Sequence, residues 1–225
     1  METKQEIQLT VPAKYIAVLK LFSSVKDVRY YLNGICLEIG HTESRLVATN
    51  GHILGCFRVV SDQPDVDKPL TSICIGNDLL KHVKSAGDVE FTIGAPVSDT
   101  DARREVRINH AGLTVAGHTT DAKYPDWRRV MPQKVSGEAA QFNPEYIGRL
   151  AKAWGYLHGK LQSSPGIGYN GQGCALIGLE DSDFIGCIMP ITDGHVAVPA
   201  TPPEWFSDFA LDHAEPEKAD SEVAA

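Results

Sequence analysis

The chain has 225 residues, room for one large domain or two small ones. A composition 43% hydrophobic and 22% charged excludes wholesale disorder. With 21 Lys+Arg against 29 Asp+Glu the net charge is −8, which as a whole-molecule number argues against a simple basic nucleic-acid binder. No run approaches the roughly 20 apolar residues of a membrane span. The polar start, Met-Glu-Thr-Lys-Gln-Glu, has no apolar stretch behind it and predicts no signal peptide. Cys36, Cys56, Cys74, Cys174 and Cys187 form no C-x-x-C pair and sit mostly in apolar runs, so they read as buried free thiols. That pattern predicts a reduced, cytoplasmic compartment, with neither a disulfide framework nor a metal site.

In chain order, residues 6–11 alternate with period two and predict a strand. Pro12 suits the first turn of a helix over 12–26, with Tyr15, Ile16, Val18, Leu19 and Phe22 as its apolar stripe. Strands are predicted at 28–32, 34–39, 45–48 and 53–60, with Asn50-Gly51 turning between the last two. A second unit opens with a strand at 72–75. Asn77 or Asp78 caps a short helix, and strands follow at 89–93, 105–108 and 113–116, with a polar loop near 98–104. A third opens at 139–142. Asn143 caps and Pro144 starts a helix to about residue 157, carrying Tyr146, Ile147, Leu150 and Trp154 on one face, before strands at 166–169, 175–179 and 184–188.

Three times, then, the chain repeats a short strand, an amphipathic helix and several strands, a period of about 60 residues that suits units stacking to bury a shared core. The units run over 6–63, 68–132 and 137–200, the first two forming one domain over 6–132. Residues 204–225 are acidic and disordered in composition, although Trp205, Phe206, Phe209 and Leu211 give that tail an apolar start.

Asp27-Val-Arg-Tyr-Tyr-Leu-Asn-Gly34, Val47-Ala-Thr-Asn-Gly-His52 and Tyr124-Pro-Asp-Trp-Arg-Arg-Val-Met-Pro132 resemble, in order and spacing, three segments of the bacterial DNA polymerase III beta sliding clamp family. The resemblance covers residues 6–132 and is to that family's middle domain. Phe142-Asn-Pro-Glu-Tyr-Ile and Cys187-Ile-Met-Pro-Ile191 resemble the second half of its last domain. It implies an α+β DNA clamp (processivity) fold, with helices on one face of curved antiparallel sheets. Three units amount to one and a half domains. A closed ring of the family resembles about twelve units, so four chains in a homotetrameric ring are implied, each third unit pairing with its counterpart.

The charge placement agrees with that ring. The helix over 12–26 carries Lys14, Lys20 and Lys26 (+3), that over 77–86 Lys81 and Lys84 against Asp78 (+1), and that over 144–160 Arg149, Lys152 and Lys160 against Glu145 (+2). The helices thus hold +6 and the rest −14 of a total of −8. Helices lining a pore would set a basic wall against DNA phosphates; the plainer reading is that these residues solvate exposed helix faces. The resemblance also places Tyr30 and Tyr31 where the family touches DNA. As neighbours on a strand they point to opposite faces, so one is free to stack on nucleic acid.

The resemblance further aligns Leu32, Thr49, Gly51, His52, Leu54, Pro125, Arg129, Val130, Cys187, Ile188, Met189, Pro190 and Ile191 with the family's pocket for short peptides of polymerases and the clamp loader. Asn50 stands where that family usually has aspartate, and Ile53 where it commonly has arginine. Arg128 and Arg129 beside Asp126 have a second, structural reading: charge-assisted bonds that tie the linker between domains. His52 and His195 each follow an Asx-Gly turn and suggest a dyad, but no nucleophile motif, phosphate loop, metal spacing or carboxylate pair accompanies them. The sequence thus predicts a non-enzymatic processivity factor without cofactor, acting on double-stranded DNA, with a non-encircling decoy for clamp-binding peptides as the alternative.

Overall fold

The computed structural model describes residues 6–61, 71–98, 100–159 and 165–192. Lys160, His195 and the tail over 204–225 lie outside them. Eleven strands, all paired antiparallel, and three helices make up the described fold.

β1 (Ile7–Pro12) alternates as its sequence requires, with Leu9 and Val11 buried, and runs directly into α1 (Ala13–Phe22). Seven of the ten α1 residues are buried, so this helix is core nearly all round. Then come β2 (Gly34–Ile39), β3 (Glu43–Thr49) and β4 (Ile53–Val60). The second unit has β5 (Thr71–Gly76), α2 (Asn77–Leu80), β6 (Asp88–Ser98), β7 (Asp101–His110) and β8 (Leu113–His118). The third has α3 (Pro144–His158), β9 (Gly166–Gly168), β10 (Ala175–Gly178) and β11 (Phe184–Ile188).

Two sheets result, of order β1-β6-β7-β8 and β5-β2-β3-β4-β11-β10-β9. Each of the first two units lends its leading strand to the other: β1 pairs with β6, and β5 with β2. The third unit extends the sheet of the first through β4 and β11, with Cys187 opposite Leu54 and Gly186 opposite Gly55. A main core of Ile16, Leu19, Phe22, Ile35, Leu46, Phe57, Trp154 and Ile188 fills the helix side, where Tyr15 stacks on Phe57 at 3.9 Å. A smaller apolar cluster covers the opposite, outer face of the long sheet.

Several expectations need correction. Residues 28–32 form no strand. Tyr30–Leu32 is a 3-10 turn, because the Asn33 side chain accepts from the Asp27 amide (2.9 Å) and donates to the Asp27 carbonyl (2.8 Å), folding the loop on itself. The second helix stops at Leu80: the Val83 amide turns back to the Leu80 carbonyl, and the Lys84 amide is taken by His110 Nε2 at 3.1 Å. The first helix likewise ends at Phe22, leaving Lys26 outside it. The polar loop near 98–104 is the tip of a longer hairpin, in which register shifts at Pro96 absorb the irregularity and keep Pro96 opposite Arg104. Residues 139–142 join no ladder among the described residues; the Gln141 carbonyl instead accepts from the Ile191 amide at 2.8 Å, and Phe142 packs on the main core.

Candidate peptide cleft and nucleic-acid face

The pleat sends Cys36 and Glu38 of β2, Val47 of β3, Leu54 and Cys56 of β4, Cys74 of β5 and Cys187 of β11 to the outer face of the long sheet. The chain leaving β8 crosses this face. Thr120 donates its amide to the Cys74 carbonyl at 2.8 Å, Tyr124 buries its ring, and a 3-10 turn, Trp127–Val130, settles over β2. Glu38, only 6% exposed, fixes that turn. Trp127 Nε1 donates to Glu38 Oε1 at 2.9 Å, and Arg128 grips both carboxylate oxygens at 3.0 and 2.6 Å while lying 4.4 Å from the Trp127 ring centre. These bonds to Glu38 raise the Arg128 guanidinium above its ordinary value. Arg128 is therefore structural, with Glu38 rather than Asp126 as its hydrogen-bonded partner.

The predicted pocket residues sort by depth. Leu32, Leu54 and Cys187 lie in the outer apolar cluster with Tyr124 and Trp127, and Thr49 is buried at the end of β3. Pro190 is buried too, and Ile191, half-buried, donates its amide to the Gln141 carbonyl. Burial pushes the neighbouring Cys56 thiol up to about 12, so it stays uncharged and this floor is apolar. Gly51, His52, Pro125, Arg129, Val130 and Met189 are exposed, Val130 at 49% and Met189 at 39%. The Met189 amide donates to the His52 carbonyl at 2.8 Å, which staples the end of β11 to the turn after β3. That turn takes its shape from Asn50, whose Oδ1 accepts from the His52 and Ile53 amides, and from Gly51 at φ +92°. Ile188 is a correction: one position along β11 from Cys187, it faces the opposite side and is wholly buried in the helix-side core.

The residues predicted to face DNA also divide. Lys14, Lys26, Lys81, Lys84 and Lys152 reach solvent. Half-buried Lys20 is engaged instead: its ammonium donates to the Leu80 and Val83 carbonyls at 3.2 and 3.0 Å, tying α1 to the turn after α2, and burial lowers its pKa. Arg149 donates to the Leu21 carbonyl at 3.0 Å and to Glu145 at 2.5 Å, so it joins α3 to α1 rather than standing free. Tyr30 is 58% exposed, its hydroxyl donating to the Asp121 carbonyl at 3.4 Å, and Tyr31 packs on the outer cluster with the two rings edge to face. Where the first and third units meet, a polar cavity of about 290 Å³ is lined by Ser23, Asp27, Arg29, Asn50, His52 and Arg149 among others. His52 stacks on Tyr146 there, at 5.7 Å between centroids. The sequence reading missed Glu38 altogether: a lone acid in an apolar strand was its only signal.

Sheets with exchanged leading strands and helices on one face are the architecture of the sliding clamps of DNA replication, and this chain has that fold. It superposes on DNA polymerase III subunit beta from Pseudomonas aeruginosa with a TM-score of 0.60 at 17% identity, covering 85% of this chain and 68% of that one. For subunit beta from Borrelia burgdorferi in complex with a natural product the TM-score is 0.62 at 14% identity, with 86% and 66% covered. In sequence the chain is 36% identical over 112 residues to the beta sliding clamp of Vibrio cholerae, 49% of this chain and 29% of that protein. It thus matches about a third of the length of such curated relatives. No family model matches the chain.

Proposed function

We propose that the chain is a sliding clamp: a non-enzymatic, cytoplasmic processivity factor that assembles as a homo-oligomeric ring around duplex DNA and holds polymerase and clamp-loader peptides on its outer face. The observation that carries this reading is the β4–β11 ladder, which brings the turn over 49–54 and the segment over 187–191 together within one chain. The units over 6–63, 68–132 and 137–200 then act as ring segments. Lys14, Lys26, Lys81, Lys84, Lys152 and Tyr30 are the groups that meet DNA, and the contacts need only permit sliding, because topological linkage supplies retention. A polymerase held by a peptide gains high effective concentration on its template.

A labelled peptide from a replicative polymerase tests the cleft by fluorescence polarisation. Met189→Ala and Val130→Ala each weaken binding at least about fivefold, or about 1 kcal/mol, by removing exposed apolar anchors. Unchanged affinity in both variants would sink the cleft assignment.

A second reading, a non-encircling relative that sequesters clamp-binding peptides, draws support from Lys20 and Arg149, whose charges are spent on contacts within the chain. It predicts the same peptide binding with indifference to DNA topology.

A further inference from the structure

The segment joining the second unit to the third crosses the outer face of the long sheet. Thr120 ties it to the Cys74 carbonyl, Met131 packs on the outer apolar cluster, and the Gly137 amide donates to the Tyr169 carbonyl at 2.9 Å. Within the proposed cleft, apolar surface is left open at Val130 and Met189. Lys123, Arg129 and Lys134 are exposed along the same segment, against Asp121 and Asp126. None of the three has a carboxylate partner among the described residues.

The chain leaves the described fold at this place. Cys187 belongs to the cleft floor, the His52 carbonyl holds the Met189 amide, the Gln141 carbonyl holds the Ile191 amide, and Thr192 is the last described residue. Trp205 follows 13 positions later, a reach of up to about 45 Å, ample to return to a rim that lies three residues before Thr192.

Composition says what can return. Every Phe and Trp among the described residues is covered: Phe22, Phe57, Phe91, Trp127 and Trp154 are buried, and Phe142 and Phe184 pack on the main core. The chain's other three, Trp205, Phe206 and Phe209, stand with Leu211 inside seven residues. Such a cluster is foreign to a purely solvating acidic segment, which is poor in aromatics. From Glu204 to Glu222 its surroundings carry seven acids against Lys218, opposite in sign to the free cations beside the cleft.

We propose that residues 205–211 are the cleft's own ligand: the aromatic side chains cover the apolar surface at Val130 and Met189, the flanking acids lie against Arg129 and Lys123, and a partner peptide binds by displacing them. The chain's own segment is the fitting occupant because it is tethered at the rim. Tethering gives an effective concentration of about 1 mM, so a segment whose untethered affinity is only about 0.1 mM weakens a competing peptide about tenfold. The proposal rests on the peptide-cleft reading and adds its regulation, a cleft that opens only to peptides strong enough to compete.

The test compares the full chain with its Trp205→Ser/Phe206→Ser/Phe209→Ser variant, which alters no described residue. The variant binds the labelled polymerase peptide about tenfold more tightly than the wild type. Carbon-13-labelled methionine methyls give a readout without that probe: the Met131 and Met189 signals move between the two proteins, and a synthetic peptide of residues 202–213 added to the variant moves them back. The wild-type signals hold on dilution; drift toward the variant's positions would put another copy's segment in the cleft and overturn the in-chain contact. If both proteins bind the probe equally and Met189→Ala weakens each, the proposal falls and the cleft stands. If neither binds the probe and the synthetic peptide moves no methionine signal, the cleft and its in-chain ligand fall together.

Discussion

Glu38 shows how one side chain positions a surface. It is an acid inside an otherwise apolar strand, almost wholly buried, and three donors from Trp127 and Arg128 converge on it. Burying a carboxylate is tolerable only when such bonds replace water. Truncation by Glu38→Ala strands the indole N–H and the guanidinium and lowers stability by about 2–4 kcal/mol. Glu38→Gln, which keeps an acceptor for Trp127, costs less. Urea denaturation distinguishes them by the order of their midpoints; equal midpoints would mean that the turn over 127–130 is held by packing alone. The same scale explains what single residues in the sequence failed to disclose. Lys20 and Arg149 read as free helix charges, yet both are consumed by backbone carbonyls distant in sequence. No local pattern encodes which lysine on a helix will meet another unit's backbone.

At the scale of elements, strands with strong alternation or continuous apolar runs were legible: β4 and β11 begin and end where the sequence predicts. The errors fall where a long-range polar contact outranks local propensity, as when Asn33 folds the loop over 27–33 and His110 stops α2. The candidate outer cleft came from resemblance rather than from local pattern, and the chain that carries Cys187 and Met189 toward that face turns Ile188 inward. The junction that joins the cleft's walls depends on glycine. Gly186 of β11 faces Gly55 of β4, and a Cβ at Gly186 would come within 2.7 Å of both the Leu54 carbonyl and the Phe184 ring. Gly186→Ala must therefore push β11 from β4, costing about 1–3 kcal/mol. Hydrogen exchange reads this as faster exchange of β10 and β11 amides with β6 and β7 unchanged. Uniform protection across both sheets would show that the junction yields without opening.

At the scale of the molecule, the −8 conceals a division, since the predicted helices hold +6 and the rest of the chain −14. The structure trims the free part of that positive set to lysines around α1, α2 and α3, which on the proposed reading suits sliding rather than tight binding. On the proposed clamp reading, retention comes from closure of a ring rather than from these contacts. The most direct test is retention on DNA of defined topology. Protein assembled with a nicked circular plasmid and passed through a sizing column in salt high enough to strip point contacts should elute with the circle and be lost once the plasmid is cut to a linear form. Equal behaviour on circle and line, whether retained on both or on neither, would contradict the account.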